Sequence, residues 1–204
     1  MLFRLLLAHV KDMTEAAARI SRVAAGQSAT VEGEVRITSS DAMAAYELPR
    51  IVMTLREKHP GIRIVLAPSN EVTSLTRREA DIAIRHVEPN QPDLIAKRLP
   101  DIQVSLYATP DYLAEMGPIE KPSDLSRASF IGFEDPARLI PQLAMIGIEL
   151  DRTNFGITAT TGTAMSELAQ AGAGIALLPS LVAEERLGLE AALPQLPPFP
   201  VPIW

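Results

Sequence analysis

The sequence contains no cysteine, which removes disulfides, thiol nucleophiles and cysteine-ligated metals from consideration. Histidine is scarce. His9, His59 and His86 stand far apart without metal-ligand spacing, so no metal site is expected. Positive charge is short as well: the net charge of -6 argues against the chain as a whole gripping a nucleic acid. No hydrophobic run is long enough to span a membrane. Leu5 to Val10 has the look of the start of a signal peptide, but Lys11 and Asp12 follow at once and no clean cleavage site comes after. A cytoplasmic location, without export and without a membrane partner, is the expectation. Catalytic signatures are missing too. There is no Gly-x-Ser-x-Gly elbow, no P-loop, and no Gly-x-Gly-x-x-Gly after the first strand. Gly172-Ala173-Gly174 follows a helix instead of opening one, and Glu184-Glu185 reads as exposed helix surface. Neither an enzyme nor a cofactor is expected.

What is present suits a globular α/β protein of one or two domains: 47% hydrophobic and 22% charged residues in 204. Leu2 to about Ser28 is the strongest helix candidate. Leu6, Val10, Met13, Ala17 and Ile20 recur at alternating spacings of four and three, a heptad-like seam with alanine filling. Two readings stand open. The helix packs on its own domain, or it pairs with a second chain. The second is favoured because no element precedes the helix to cover it.

Glu34 to Thr38 alternates as a strand, and Ser39-Ser40-Asp41 offers N-cap oxygens to a helix from Ala42 to about His59. Pro49 should bend that helix or mark its true first turn. Ile62 to Leu66 is a second strand. The Ser69-Asn70 turn opens a short helix, and Asp81 to Arg85 is a third strand, apolar on both faces and read as buried and parallel. This βαβαβ order predicts three parallel strands in one sheet. Its third strand would deliver Arg85 to the carboxyl edge, where open α/β sheets bind ligands.

Beyond a loop from His86 to Pro92, Leu94 to Ala96 and Gln103 to Ala108 read as strands, and Thr109-Pro110-Asp111 caps a short helix ending at Met116. Pro122 to Leu125 makes a further helical turn. Leu139 to Ile146 is ambiguous, with Pro141 opposing a long helix. Strands are expected at Ser129 to Phe133, Phe155 to Thr160 and Ile175 to Leu178. A helix from Thr163 to Ala171 and a last helix opened by Pro179 complete a second α/β unit with a parallel core. Pro194 to Pro202 is extended, and Val201 to Trp204 turns strand-like. Two α/β lobes with a cleft between them are predicted, with a small-molecule ligand in the cleft.

Several pieces, in order, resemble one family. They are Gly33-Glu34-Val35-Arg36-Ile37, Leu48-Pro49, Lys58-His59-Pro60-Gly61-Ile62, and Arg78-Glu79-Ala80-Asp81-Ile82-Ala83-Ile84-Arg85. Next come Ala108-Thr109-Pro110-Asp111-Tyr112-Leu113, Pro122-Ser123-Asp124-Leu125, Ala171-Gly172-Ala173-Gly174-Ile175-Ala176-Leu177-Leu178-Pro179 and Pro202-Ile203-Trp204. Together they are similar to the effector-binding domain of LysR-type transcriptional regulators. The resemblance implies two Rossmann-like lobes of the type 2 periplasmic-binding-protein kind, preceded by a long linker helix. Residues 1–29 would be the linker and oligomerisation helix, 33–98 lobe I, 99–198 lobe II and 199–204 a return strand to lobe I. It implies a homodimer or homotetramer that senses a small effector and modulates transcription. DNA would be bound only through a winged helix-turn-helix that nothing in this sequence matches. The family's closing strand and helix are not matched either, so a chain truncated at both ends, with an uncovered lobe I sheet edge, is the expectation.

The effector-site candidates are Ser39, Ser40, Ser69, Asn70, Arg85, His86, Phe133, Thr160, Thr161 and Gly162. Three hydroxyl-bearing helix starts suit an anionic, carboxylate-bearing metabolite, though each could be plain capping. Arg85 could bind a carboxylate in a bidentate fashion or pair with Asp81 or Glu88. His86 reads as hinge lining with a weak pH-sensitive role, and Phe133 as an apolar wall or a core residue. Two other readings compete with this one: an exported solute-binding protein of the same lobe architecture, and a small α/β enzyme.

Overall fold

The computed structural model describes residues 31–71, 80–89 and 94–204. The seam residues Leu6, Val10, Met13, Ala17 and Ile20 lie outside them, as does the short helix expected after Asn70. In the first lobe, β1 (Gly33–Thr38) is the middle strand of a three-stranded parallel sheet in the order β2-β1-β3, with β2 at Ile62–Leu66 and β3 at Ile82–Ala83. The predicted three-stranded parallel sheet is therefore present. Its third strand is shorter and more exposed than expected: Ile82 is half exposed, because β3 covers only the end of β1. Asp81 holds that entry point. Its carboxylate accepts the Arg36 N–H, and its own N–H donates to the Arg36 carbonyl.

The helix expected from Ala42 to His59 is two helices, α1 (Asp41–Tyr46) and α2 (Leu48–Lys58), separated at Glu47. The cause is Pro49, which has no N–H to give the preceding turn and stands in the first turn of α2, where that loss is harmless. Met43, Leu48 and Ile203 form the small core of this lobe, with Ile37, Leu66, Ile84 and Ile102 packed against it.

The chain then enters β4 (Leu99–Ala108), the longest strand. Leu94 to Ala96, expected as a strand, is not one. Ile95 is fully exposed and, among the described residues, no backbone pairs there, so its β-branched shape has no described pleated surface to fit. β4 serves both lobes: Ile102 packs on the first core, whereas Leu106 and Ala108 lie in the second.

After β4 come α3 (Pro110–Met116), a 3-10 turn at Pro122–Arg127, β5 (Ile131–Phe133), α4 (Ile140–Ala144) and β6 (Ile157–Ala159). α5 (Gly162–Gln170), β7 (Ala176–Pro179), α6 (Ser180–Glu185), β8 (Glu190–Ala191) and β9 (Phe199–Ile203) complete the order. The Thr109 hydroxyl accepts the Tyr112 N–H, the cap its sequence position promised. Pro141 falls in the first turn of α4, which resolves the ambiguous stretch as one short helix.

The parallel core expected for this half needs correcting. β5 and β6 are parallel, but β4 runs antiparallel to β7, β8 and β9. A run buried on both faces, such as Val104 to Ala108, announces burial and says nothing of its partners' direction. The second core is the larger one. Leu125 and Ile148 are fully inaccessible there, beside Phe130 and Phe155, whose rings sit 5.7 Å apart.

β9 carries the chain back. Its pairing with β4 runs from Val104–Phe199 to Leu99–Ile203, and Trp204 then exchanges backbone hydrogen bonds of 2.8 and 3.0 Å with Arg85. Two strands thus link the lobes, and Arg85 and His86 stand beside the junction.

Candidate functional site

Strands β1, β2 and β3 are parallel, so their carboxyl ends share one edge. That edge gathers the first group of candidate residues. The Ser69 N–H donates to the Ser39 carbonyl at 2.9 Å, and the Arg85 guanidinium donates to Thr38 Oγ1 at 2.9 Å. Thr38, Ser39 and Arg85 are all buried. Burial disfavours a cation and lowers the pKa of Arg85 from its ordinary value. Asp81, weighed as an ion-pair partner for Arg85, spends its carboxylate on the Arg36 N–H.

The serines divide. Ser39 Oγ donates to the Ser40 carbonyl at 3.0 Å and is almost wholly enclosed. Ser40 holds the N-cap position of α1, yet its side chain makes no cap hydrogen bond. Ser69 Oγ accepts the Glu71 N–H, which makes the turn a local Ser-capped bend. Asn70 Oδ1 accepts the Asp41 N–H at 3.1 Å, so the start of α1 is capped by a side chain 29 residues away.

In the second lobe, the parallel pair β5 and β6 brings Phe133 opposite Ala159. Phe133 therefore lies at the same carboxyl edge as Thr160, Thr161 and Gly162. It is 42% exposed, which argues for a wall over a core role. Thr161 Oγ1 accepts the Ala164 N–H at 3.2 Å, an ordinary cap for α5. His86 is half-buried at the junction with Nδ1 3.2 Å from the Pro202 carbonyl. Burial raises the Glu47 carboxyl above its usual range, and His86 opposes that shift.

The two edges meet at a residue the sequence marked only for capping. Asp41 accepts across the seam from the Gly162 N–H at 3.2 Å, from the Thr163 N–H at 2.7 Å, and from the Thr163 hydroxyl. Burial pushes its carboxyl up, but the hydrogen bonds from Thr163 and Gly162 outweigh it and hold the pKa at about 2. Tyr46, one helical turn on, donates to Glu167 on α5 at 3.0 Å. The partners of Asp41 lie 121 and 122 residues away, so no local signal exposed them.

The same sequence matches the LysR substrate binding domain over residues 28–204. The chain belongs to the LysR substrate binding domain family. Among curated relatives, the HTH-type transcriptional regulator CrgA of Neisseria meningitidis serogroup C is 27% identical over 167 residues, 81% of this chain and 56% of that protein. The chain thus spans a little over half the length of that relative. Among solved structures, the regulatory domain of CrgA superposes with a TM-score of 0.71 at 24% identity, covering 84% of this chain and 88% of that one. The effector binding domain of QuiR in complex with shikimate superposes with a TM-score of 0.62 at 17% identity, covering 84% of this chain and 85% of that one. Both structures show the fold, two lobes with a cleft, as the resemblance implied. The relatives are transcriptional regulators, and the LysR-family domain fits the chain better than an exported binding protein does.

Proposed function

We propose that this domain binds a small anionic, carboxylate-bearing effector between its lobes and passes the resulting change of lobe angle to a transcription regulator. The observation that carries this reading is the convergence of Thr38, Ser39, Ser69 and Arg85 on one sheet edge, facing the start of α5 across the seam. A buried guanidinium at such an edge suits a carboxylate, which it can meet with two parallel hydrogen bonds. The fold shared with the shikimate-bound domain of QuiR supports a ligand of that class, shikimate being itself a carboxylate.

Arg85 and His86 adjoin the two strands that join the lobes, so a ligand touching them also touches the hinge. Differential affinity for two lobe angles is what allows an effector to shift a population. DNA contact is made through a winged helix-turn-helix of the regulator, and the work is cytoplasmic, without catalysis. Self-association as a dimer or tetramer runs through the seam of Leu6, Val10, Met13, Ala17 and Ile20. Exposed Ile51 and Met53 on α2 and Leu181 on α6 offer further apolar surface for it.

The test is a thermal-shift screen of carboxylate metabolites, followed by calorimetric titration of the best ligand into Arg85→Ala and Ser40→Ala. Arg85→Ala should weaken binding by roughly tenfold or more, the loss of a charge-assisted pair. Parent-like affinity in both variants sinks the site assignment.

A further inference from the structure

The cleft is bridged by the chain itself. We infer that Asp41 is an interlobe latch: its carboxylate holds the two lobes together at the start of α5, and an anionic effector must break that contact to bind there. The inference rests on reading the seam as the effector cleft.

Three observations lead to it. First, the Asp41 carboxylate accepts from two backbone N–H groups and one hydroxyl of the opposite lobe, while its own N–H is fixed by Asn70. The carboxylate is therefore aimed from both sides. Second, the seam is shaped for close approach. A Cβ on Gly162 would stand 2.8 Å from the Ala42 Cβ, closer than real side chains come, so glycine at 162 is what lets α1 and α5 meet. Third, Tyr46 to Glu167 adds a fourth hydrogen bond across the same pair of helices. The contact joins lobe to lobe at a distance of more than 120 residues in sequence, so it bears on lobe angle and not on local capping.

An external carboxylate entering here needs the N–H groups that Asp41 now holds. Effector and latch exclude one another at that point. The domain then has a closed arrangement without ligand, and the effector pays for its contacts by releasing Asp41. A residue of the right charge thereby sets the threshold concentration at which the sensor responds.

The absence of cysteine makes the test direct. Exposed Glu57 on α2 and Glu115 on α3 are replaced by cysteine and spin-labelled in the full chain, and the interlobe distance distribution is measured. The Asp41-containing protein should give one narrow distribution. Asp41→Ala should broaden it and shift it to longer distances. If Asp41→Ala does not fold, the isosteric Asp41→Asn carries the same test with a smaller shift in the same direction. A distribution unchanged by the substitution overturns the latch.

Acetate is then added to each protein. It should narrow the Asp41→Ala distribution and bind that variant roughly tenfold more tightly than the parent, the worth of a hydrogen-bonded carboxylate. Equal acetate affinity in the two proteins overturns the competition. The outcomes also separate the two readings. Opening in Asp41→Ala with no ligand found in any metabolite screen leaves the latch standing and removes the effector reading. An effector bound through Arg85, with no change of distance in Asp41→Ala, does the reverse.

Discussion

The Asp41 carboxylate accepts the Thr163 backbone N–H at 2.7 Å, joining the first helix of one lobe to the start of a helix in the other. This single contact spans 122 residues and crosses the seam between the two lobes.

Its pH dependence follows from the depressed carboxyl. Asp41 titrates at about 2 in the folded protein against an ordinary value of 3.8. A folded-state value below the unfolded one means stability that is fully present above pH 3.8 and lost as the pH falls through about 2. In thermal unfolding across that window, Asp41→Asn should show a shallower acid loss than the parent. Identical acid profiles would show that the contact is not coupled to folding.

Thr38 and Arg85 form the corresponding pair on the first lobe's edge, buried and 2.9 Å apart. Thr38→Val keeps the shape but removes one acceptor from a buried guanidinium. The expected cost is about 1–3 kcal/mol in denaturant unfolding. Thr38→Ser, which retains the hydroxyl, should recover most of it.

Gly174 cannot be replaced without moving backbone. It has φ of 146°, and a Cβ there would lie 2.5 Å from the Ser129 carbonyl oxygen. That carbonyl also accepts the Ile175 N–H at 2.9 Å, in the pairing that brings β5 alongside β7. Gly174→Ala should destabilise by about 2 kcal/mol or more, the combined cost of strain and overpacking. An unfolding midpoint equal to the parent's would refute the close approach.

Ile148 is fully buried in the second core beside Leu143 and Leu125. Ile148→Ala should cost about 2–5 kcal/mol through lost burial and the cavity left behind. Met145→Ala, just after the end of α4 and largely exposed, should leave the domain's unfolding free energy within about 0.5 kcal/mol. Chemical denaturation of the two variants side by side checks both values.

Legible in the sequence were the alternation of strands and helices, the three parallel strands of the first lobe, and the family. Local chemistry suffices for those. β-branched runs end at Gly and Pro, Thr109 caps its helix, and Pro49 can only stand in a first turn. It also brought Ser39, Ser69 and Arg85 to one edge, because parallel strands put their carboxyl ends together. Tertiary structure decided the rest. Whether β4 takes parallel or antiparallel partners depends on where β7 and β9 arrive, and a uniformly buried run does not encode it. Whether Asp41 caps its own helix or another one depends on Gly162 and Thr163 being brought against it by the docking of two lobes. Sequence patterns report a residue's burial and its local bonding. Contacts across more than 100 residues depend on the closure of the whole chain, and one of those here involves the carboxylate that sequence had marked as an ordinary helix cap.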